Sequence, residues 1–336
     1  MLYGDGPMIM RISRYNYAFP SRDFANKTDA YAPEYINSIP IGAPILFKLC
    51  RIVCLGFWLP ASMAFILLTN CVCALAFERF LTSWNIVQYP VTTACLLSIY
   101  PASFLINHST ISTDSIYMTC VFLAFIGYKL HDTKLMFNSI LVASFFDKQA
   151  IVLAFSFFVV FFKNAHYDNA FKMLFPYLIS LGFHSVFQYF YSKRIFGLFT
   201  AGFLHDPQFK FIPFGFLIKS ASFIGSLEEF HVNWGVFASC VIGTAFLSRY
   251  SVALLIFQIV TLAFQSMHYS LDIGRYSIVC DVFSVLVGFD AFISSIKFKK
   301  VIPAFSFFFF LMGATYSIYS IVGRGHMKVR QLWYEI

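Results

Sequence analysis

The sequence predicts an all-α polytopic membrane protein, with about ten transmembrane helices behind an extramembranous N-terminal segment. Three observations carry that prediction. Of 336 residues, 59% are hydrophobic and only 12% are charged, too few to clothe a soluble globule. Mean hydropathy is +0.72. Apolar stretches of about 20 residues recur along the chain, the length that crosses a hydrocarbon layer as a helix. The 45 Phe fit lipid-facing and interhelical packing, since that ring brings no polar atom in need of a partner.

Residues 1–44 are polar and punctuated by Pro20, Pro33, Pro40 and Pro44, without the pattern of a cleavable leader. They read as a loop segment folded over the membrane surface. A membrane domain over 45–322 follows, with 323–336 as a short tail. Spans are expected near 45–77, 86–107, 114–129, 135–162, 172–191, 211–224, 233–248, 250–267, 275–296 and 301–322. Two of these, 114–129 and 211–224, are short. The span 135–162 carries Asp147-Lys148-Gln149 in its middle, which is tolerable if Asp and Lys pair or if two short helices break there around a cavity.

Alternating spans with the N-terminal segment outside the cytosol put Glu78-Arg79, 129–134, Lys193-Arg194, Arg249 and 297–300 on the cytosolic side. Each of those loops holds Lys or Arg, as orientation by positive charge requires. Loops 108–113, 163–171, 225–232 and 268–274 then face the other way. The sequons Asn26-Lys27-Thr28 and Asn107-His108-Ser109 also fall on that side.

Composition excludes several classes. The net charge of +8 is scattered through short loops and forms no basic stripe, so nucleic acid is not an expected partner. The eight Cys show no CxxC pair and no His at zinc spacing, and they read as small buried hydrophobes. His166, His184, His205 and His231 share no ligand spacing, so no metal is expected. Gly197 and Gly202 follow no strand and precede no Lys, which argues against a nucleotide loop.

The chemistry-bearing residues are few. Met267 to Tyr276 is a polar island between apolar spans, bringing His268, Asp272, Arg275 and Tyr276 to a membrane surface. A guanidinium there can grip a phosphate in bidentate fashion, and it can equally snorkel to lipid headgroups. Asp5 and Asp114 are carboxylates on the non-cytosolic side, where a sugar transferase without a metal box needs a base for its acceptor hydroxyl. Lys148 and Gln149 form either a structural pair with Asp147 or part of a site.

Three segments, in order, carry a resemblance. Tyr31-Ala32-Pro33-Glu34-Tyr35-Ile36-Asn37-Ser38-Ile39-Pro40-Ile41-Gly42 echoes a Trp-Asp-Pro-x-Ile-Thr-Thr-x-Pro-Gly motif. Tyr100-Pro101 to Thr113-Asp114-Ser115, followed by Phe146-Asp147-Lys148-Gln149-Ala150, is similar to a Phe-Pro…Tyr-Tyr-Thr-Asp run followed by Phe-Arg-Gln-Thr-Asn. His268-Tyr269-Ser270-Leu271-Asp272-Ile273-Gly274-Arg275-Tyr276 resembles His-Pro-x-x-Leu-Ala-Asp-Asn-Arg-His-Tyr.

These are the motifs of the endoplasmic-reticulum α-1,2-glucosyltransferases that add the terminal glucose to the dolichol-linked oligosaccharide. The family has a GT-C-type membrane fold. The resemblance implies a dolichyl-phosphate-glucose donor, a dolichyl-diphosphate oligosaccharide acceptor, no cofactor, and a lumenal active site in the ER membrane. It implies Asp5 or Asp114 as the base and Arg275, His268 and Lys148 around the donor phosphate, supported by Asp272, Gln149 and Tyr276. The family's N-terminal Tyr-Met-Asp-Glu box is represented only by Tyr3-Gly4-Asp5, with Gly6 in place of the second acid. A mannosyl sister enzyme, a catalytically silent partner and a transporter therefore stand as alternatives.

Overall fold

The computed structural model describes residues 6–15, 39–87, 89–97, 111–192 and 250–267, together with Thr244, Leu247, Val282 and Phe283. Its elements are α1 (Gly6–Tyr15), α2 (Gly42–Val53), α3 (Trp58–Trp84), α4 (Pro90–Leu97), α5 (Asp114–Lys129), α6 (Thr133–Phe146), α7 (Ala150–Lys163), α8 (Tyr167–Ser192) and α9 (Val252–Ser266). The predicted all-α class holds, with no strand among the described residues.

Among the described residues, two helices are long and apolar enough to cross a membrane: 27 residues of α3 and 24 residues of α8. By helical rise these are about 40 and 36 Å long, against about 30 Å of hydrocarbon. α6, α7 and α9 are apolar but shorter. Each end of α3 carries a Trp under a cation, Arg51 at 4.1 Å from the Trp58 ring and Lys129 at 5.4 Å from the Trp84 ring. Amphipathic rings with cations are what the two interfaces of a bilayer select.

Local chemistry sets the helix ends. Asn85 closes α3 in the left-handed conformation, φ 51°, which Asn adopts more readily than most residues. The Asp132 carboxylate accepts from the backbone N–H groups of Lys134 and Leu135, both at 3.0 Å, and so caps α6. Ser251 caps α9 through Ala253 N–H.

Pairings across the helices fix their directions. Asn70 meets Ser115, Phe77 meets Phe122, Phe80 meets Phe125 and Trp84 meets Tyr128, so α3 and α5 run parallel. α5 turns through Leu130–Asp132 into antiparallel α6, where Gly127 lies against Met136. Tyr117 meets Gln149, Phe125 meets Phe157 and Tyr128 meets Phe161, so α7 runs parallel to α5 and opposite to α6. α8 returns antiparallel to α7, with Phe158 on Phe171 and Phe162 on Tyr167.

This topology corrects two expected spans. The stretch 135–162 is a hairpin of α6 and α7, broken at 147–149, and 45–77 contains a turn at 54–57 between α2 and α3. The reversal brings the turn after α7 to the same end as the turn after α5: the Tyr128 ring lies 6.1 Å from Phe161, and its hydroxyl reaches the Asn164 side chain. Loop 163–171 therefore shares a side with 129–134 and does not oppose it. Counting crossings no longer fixes the side of the loops that follow, 268–274 included. Cys introduced at Lys134 and at Lys163 in a Cys-free chain should label from the same side of sealed vesicles. Labelling from opposite sides would disprove the hairpin.

The main core is a stack of Phe rings. Phe77, Phe80, Phe122, Phe125, Phe257 and Phe283 are buried, with centroid separations such as 4.7 Å for Phe77–Phe122 and 5.3 Å for Phe125–Phe257. Offset and edge-on aromatic pairs are favourable beyond their area, which matters where lipid competes for apolar contact. Cys50, Cys73 and Cys120 are buried as expected, whereas Cys71 and Cys95 are exposed.

A second cluster packs α1 and α2 onto the first half of α3, with Ile9, Ile12, Phe47, Phe65 and Ile111 buried. It reaches the main bundle at Gly42, where an added Cβ would sit 2.5 Å from the Phe145 carbonyl oxygen and 2.9 Å from its carbon. Backbone cannot yield as a side chain does, so Gly42→Ala should cost about 1–3 kcal/mol. Gly182 has nothing within 4 Å of that position, and Gly182→Ala should gain up to about 1 kcal/mol from helix propensity. Thermal unfolding of the two variants, side by side, checks the pair.

Candidate functional site

A helix that stops inside an apolar bundle leaves backbone groups that water cannot reach, and they must find partners within the protein. Asp147 supplies them at the break. It is 8% exposed and ends α6 in extended backbone. One carboxylate oxygen accepts from the backbone N–H of Gln149 at 2.8 Å, bracing the first turn of α7. The other accepts from Thr113 Oγ1 at 3.1 Å, just before α5. The Gln149 carbonyl in turn accepts from Tyr117 Oη at 3.1 Å. Beside them Ser115 Oγ donates to Asn70 Oδ1 at 2.7 Å. Asn70 stands near the middle of α3, so this polar layer lies about half-way between Trp58 and Trp84.

At Asp147-Lys148-Gln149 the apolar run breaks into two short helices, as one of the two readings expects. Asp147 acts as a bracket for the turn, and its two oxygens are engaged in doing so. Lys148 and Gln149 are half-buried at the tip of the turn. Asp114 opens α5, where a carboxylate complements the positive end of the helix dipole. Thr113–Asp114 and Asp147–Gln149, two separately predicted segments, thus meet in one layer.

The other predicted site residues, Asp5, His268, Asp272, Arg275 and Tyr276, lie outside the described residues, as do both sequons. α1 begins at Gly6, and its Ile9, Met10 and Ile12 share a core with Phe145 and Phe146, next to Asp147.

Three residues of the layer carry no motif of their own. Tyr117 and Asn70 sit inside apolar spans, and Thr113 was only part of a matched run. A signal existed in each case, because a hydroxyl or amide in an apolar helix must be satisfied. Its partner could not be named without the pairing of α3, α5 and α7.

Comparison with known proteins gives no further handle: no family model, no curated protein and no solved structure matches this chain.

Proposed function

We propose that this chain is a multi-pass glucosyltransferase of the endoplasmic-reticulum membrane with a GT-C-type bundle. It would move glucose from dolichyl phosphate glucose to the glucosylated high-mannose lipid-linked oligosaccharide, forming the α-1,2 linkage that completes the precursor. The supporting observation is the Thr113–Asp147 hydrogen bond at 3.1 Å. It ties together two segments that resemble separate motifs of that family, at a helix break where Lys148 is the cation.

In this reading the acceptor 2-hydroxyl attacks the anomeric carbon of the donor. A carboxylate, Asp5 or else Asp114, takes the hydroxyl proton. The new C–O bond forms as the bond to phosphate breaks, and the electron pair leaves with dolichyl phosphate, inverting a β donor to an α product. Lys148, with Arg275 and His268 from the 267–276 island, balances the charge that develops on the departing phosphate. Asp272, Gln149 and Tyr276 support those groups. Because the donor is itself a membrane lipid, in this reading it approaches the polar layer from within the bilayer.

Expression in cells that lack the terminal glucosyltransferase tests the proposal. Lipid-linked oligosaccharides should grow from two glucoses to three. Correct insertion of the chain with no change in oligosaccharide size would reject it.

A further inference from the structure

α8 has two faces of opposite character. Phe175, Leu178, Ile179, Phe183 and Val186 are exposed along one of them, as expected of a lipid-facing stripe. The other buries Tyr177, Ser180, His184 and Gln188, at 5%, 1%, 1% and 0% exposure. Steps of three and four residues place them on a single line along the helix. Polar side chains at such depth in an apolar bundle are costly unless their hydrogen bonds are met.

Only part of that requirement is met from within. Ser180 Oγ donates to the Ser144 carbonyl at 2.9 Å and so pins α8 to α6. The Tyr177 hydroxyl has no hydrogen-bond partner among the described residues, and His184 has only the Ser144 backbone within reach of its ring, which leaves at least one ring nitrogen unmet. The line starts at the site already described, because Tyr177 lies within electrostatic reach of the Asp147 carboxylate. It continues past the break towards the α1 and α2 cluster, where Phe187 packs.

The chemistry of the line selects its ligand. Residues 173–192 contain no charged side chain, so this face offers nothing to balance a phosphate or an ion. Tyr and His both donate and accept hydrogen bonds, which suits a neutral, hydroxyl-rich group. The Phe145 ring, 5.6 Å from the His184 ring, provides an apolar wall beside them. We propose that this face of α8 binds the hexose of the donor, with Tyr177 and His184 hydrogen-bonded to sugar hydroxyls while the donor phosphate lies towards Lys148. The inference rests on the donor class proposed above and adds the residues that read the sugar.

The test uses the full chain in nanodiscs and two probes, a short-chain polyprenyl phosphate and the same lipid carrying β-linked glucose. Affinity of the parent for the glucosyl lipid should exceed that for the bare lipid by at least about tenfold, since a site built around a hydroxyl discriminates strongly against its absence. Tyr177→Phe and His184→Leu should each remove most of that difference and leave affinity for the bare lipid unchanged. Tyr177→Phe should fold without ligand at least as well as the parent, because it replaces an unpartnered buried polar group with an apolar one, and His184→Leu should lose only the contact with the Ser144 backbone. Equal affinity of the parent for both lipids, or variants that keep the full preference for glucose, would overturn the hexose face and spare the donor class. Binding of neither lipid by the parent would overturn both.

Discussion

Lys148→Ala should lower glucose transfer by about 10²–10³-fold, the usual loss when one group that stabilises developing charge is removed from a site shielded from water. The residue is half-buried at the tip of a turn whose backbone is held by others: the Asp147 carboxylate accepts from the Gln149 N–H, and Tyr117 Oη donates to the Gln149 carbonyl. Truncation should therefore leave the unfolding temperature within about 2 °C of the parent. The assay is turnover of dolichyl phosphate glucose on a defined acceptor, with unfolding followed in parallel. Lys148→Arg should recover most of the activity, because charge is the quantity required and the motif that this segment resembles has Arg at this place. Arg275→Ala should be at least as damaging, since the proposed phosphate site relies on it as a second cation. Turnover by Lys148→Ala equal to the parent would exclude Lys148 from the phosphate site. A loss accompanied by collapse of the fold would make its role structural.

The helical class was legible from composition and span length, and α5 falls on the predicted residues 114–129, while the expected spans 211–224, 233–248, 275–296 and 301–322 lie almost wholly outside the described residues. The hairpin of α6 and α7 was harder to see. Residues 135–162 form one continuous apolar stretch, and hydropathy does not register a change of direction that costs only three residues. What marks the reversal is Asp147, whose carboxylate replaces the hydrogen bonds lost where the helix stops. A polar triplet within an apolar run is therefore a turn candidate as well as an ion-pair candidate. The buried line on α8 was invisible for another reason. His184 and Tyr177 stand among exposed Phe and Leu at helical spacing, and only packing shows which side of α8 meets α6 and which is left open. His184 shares no ligand spacing with the other His, and its place in the fold is set instead by burial beside Ser144 and Phe145.

Asp147→Ala should destabilise the bundle by about 3 kcal/mol, because two donors in an apolar setting lose a charged acceptor, at about 1–3 kcal/mol each. Asp147→Asn keeps an oxygen for the Gln149 N–H and a group that can pair with the Thr113 hydroxyl, and should cost less than half as much. Thermal unfolding of the chain in one detergent ranks the three proteins. A double-mutant cycle with Thr113→Val then separates the bracket from a general effect of lost charge. If the 3.1 Å bond between Thr113 and Asp147 is what links α5 to the break, Thr113→Val should cost about 1 kcal/mol in the parent and close to nothing once Asp147 is Ala. Additive losses would show that the two side chains act independently. An Ala variant as stable as the parent would mean that the turn at 147–149 is held by packing alone, and the polar layer would then need an explanation other than satisfying the broken helix.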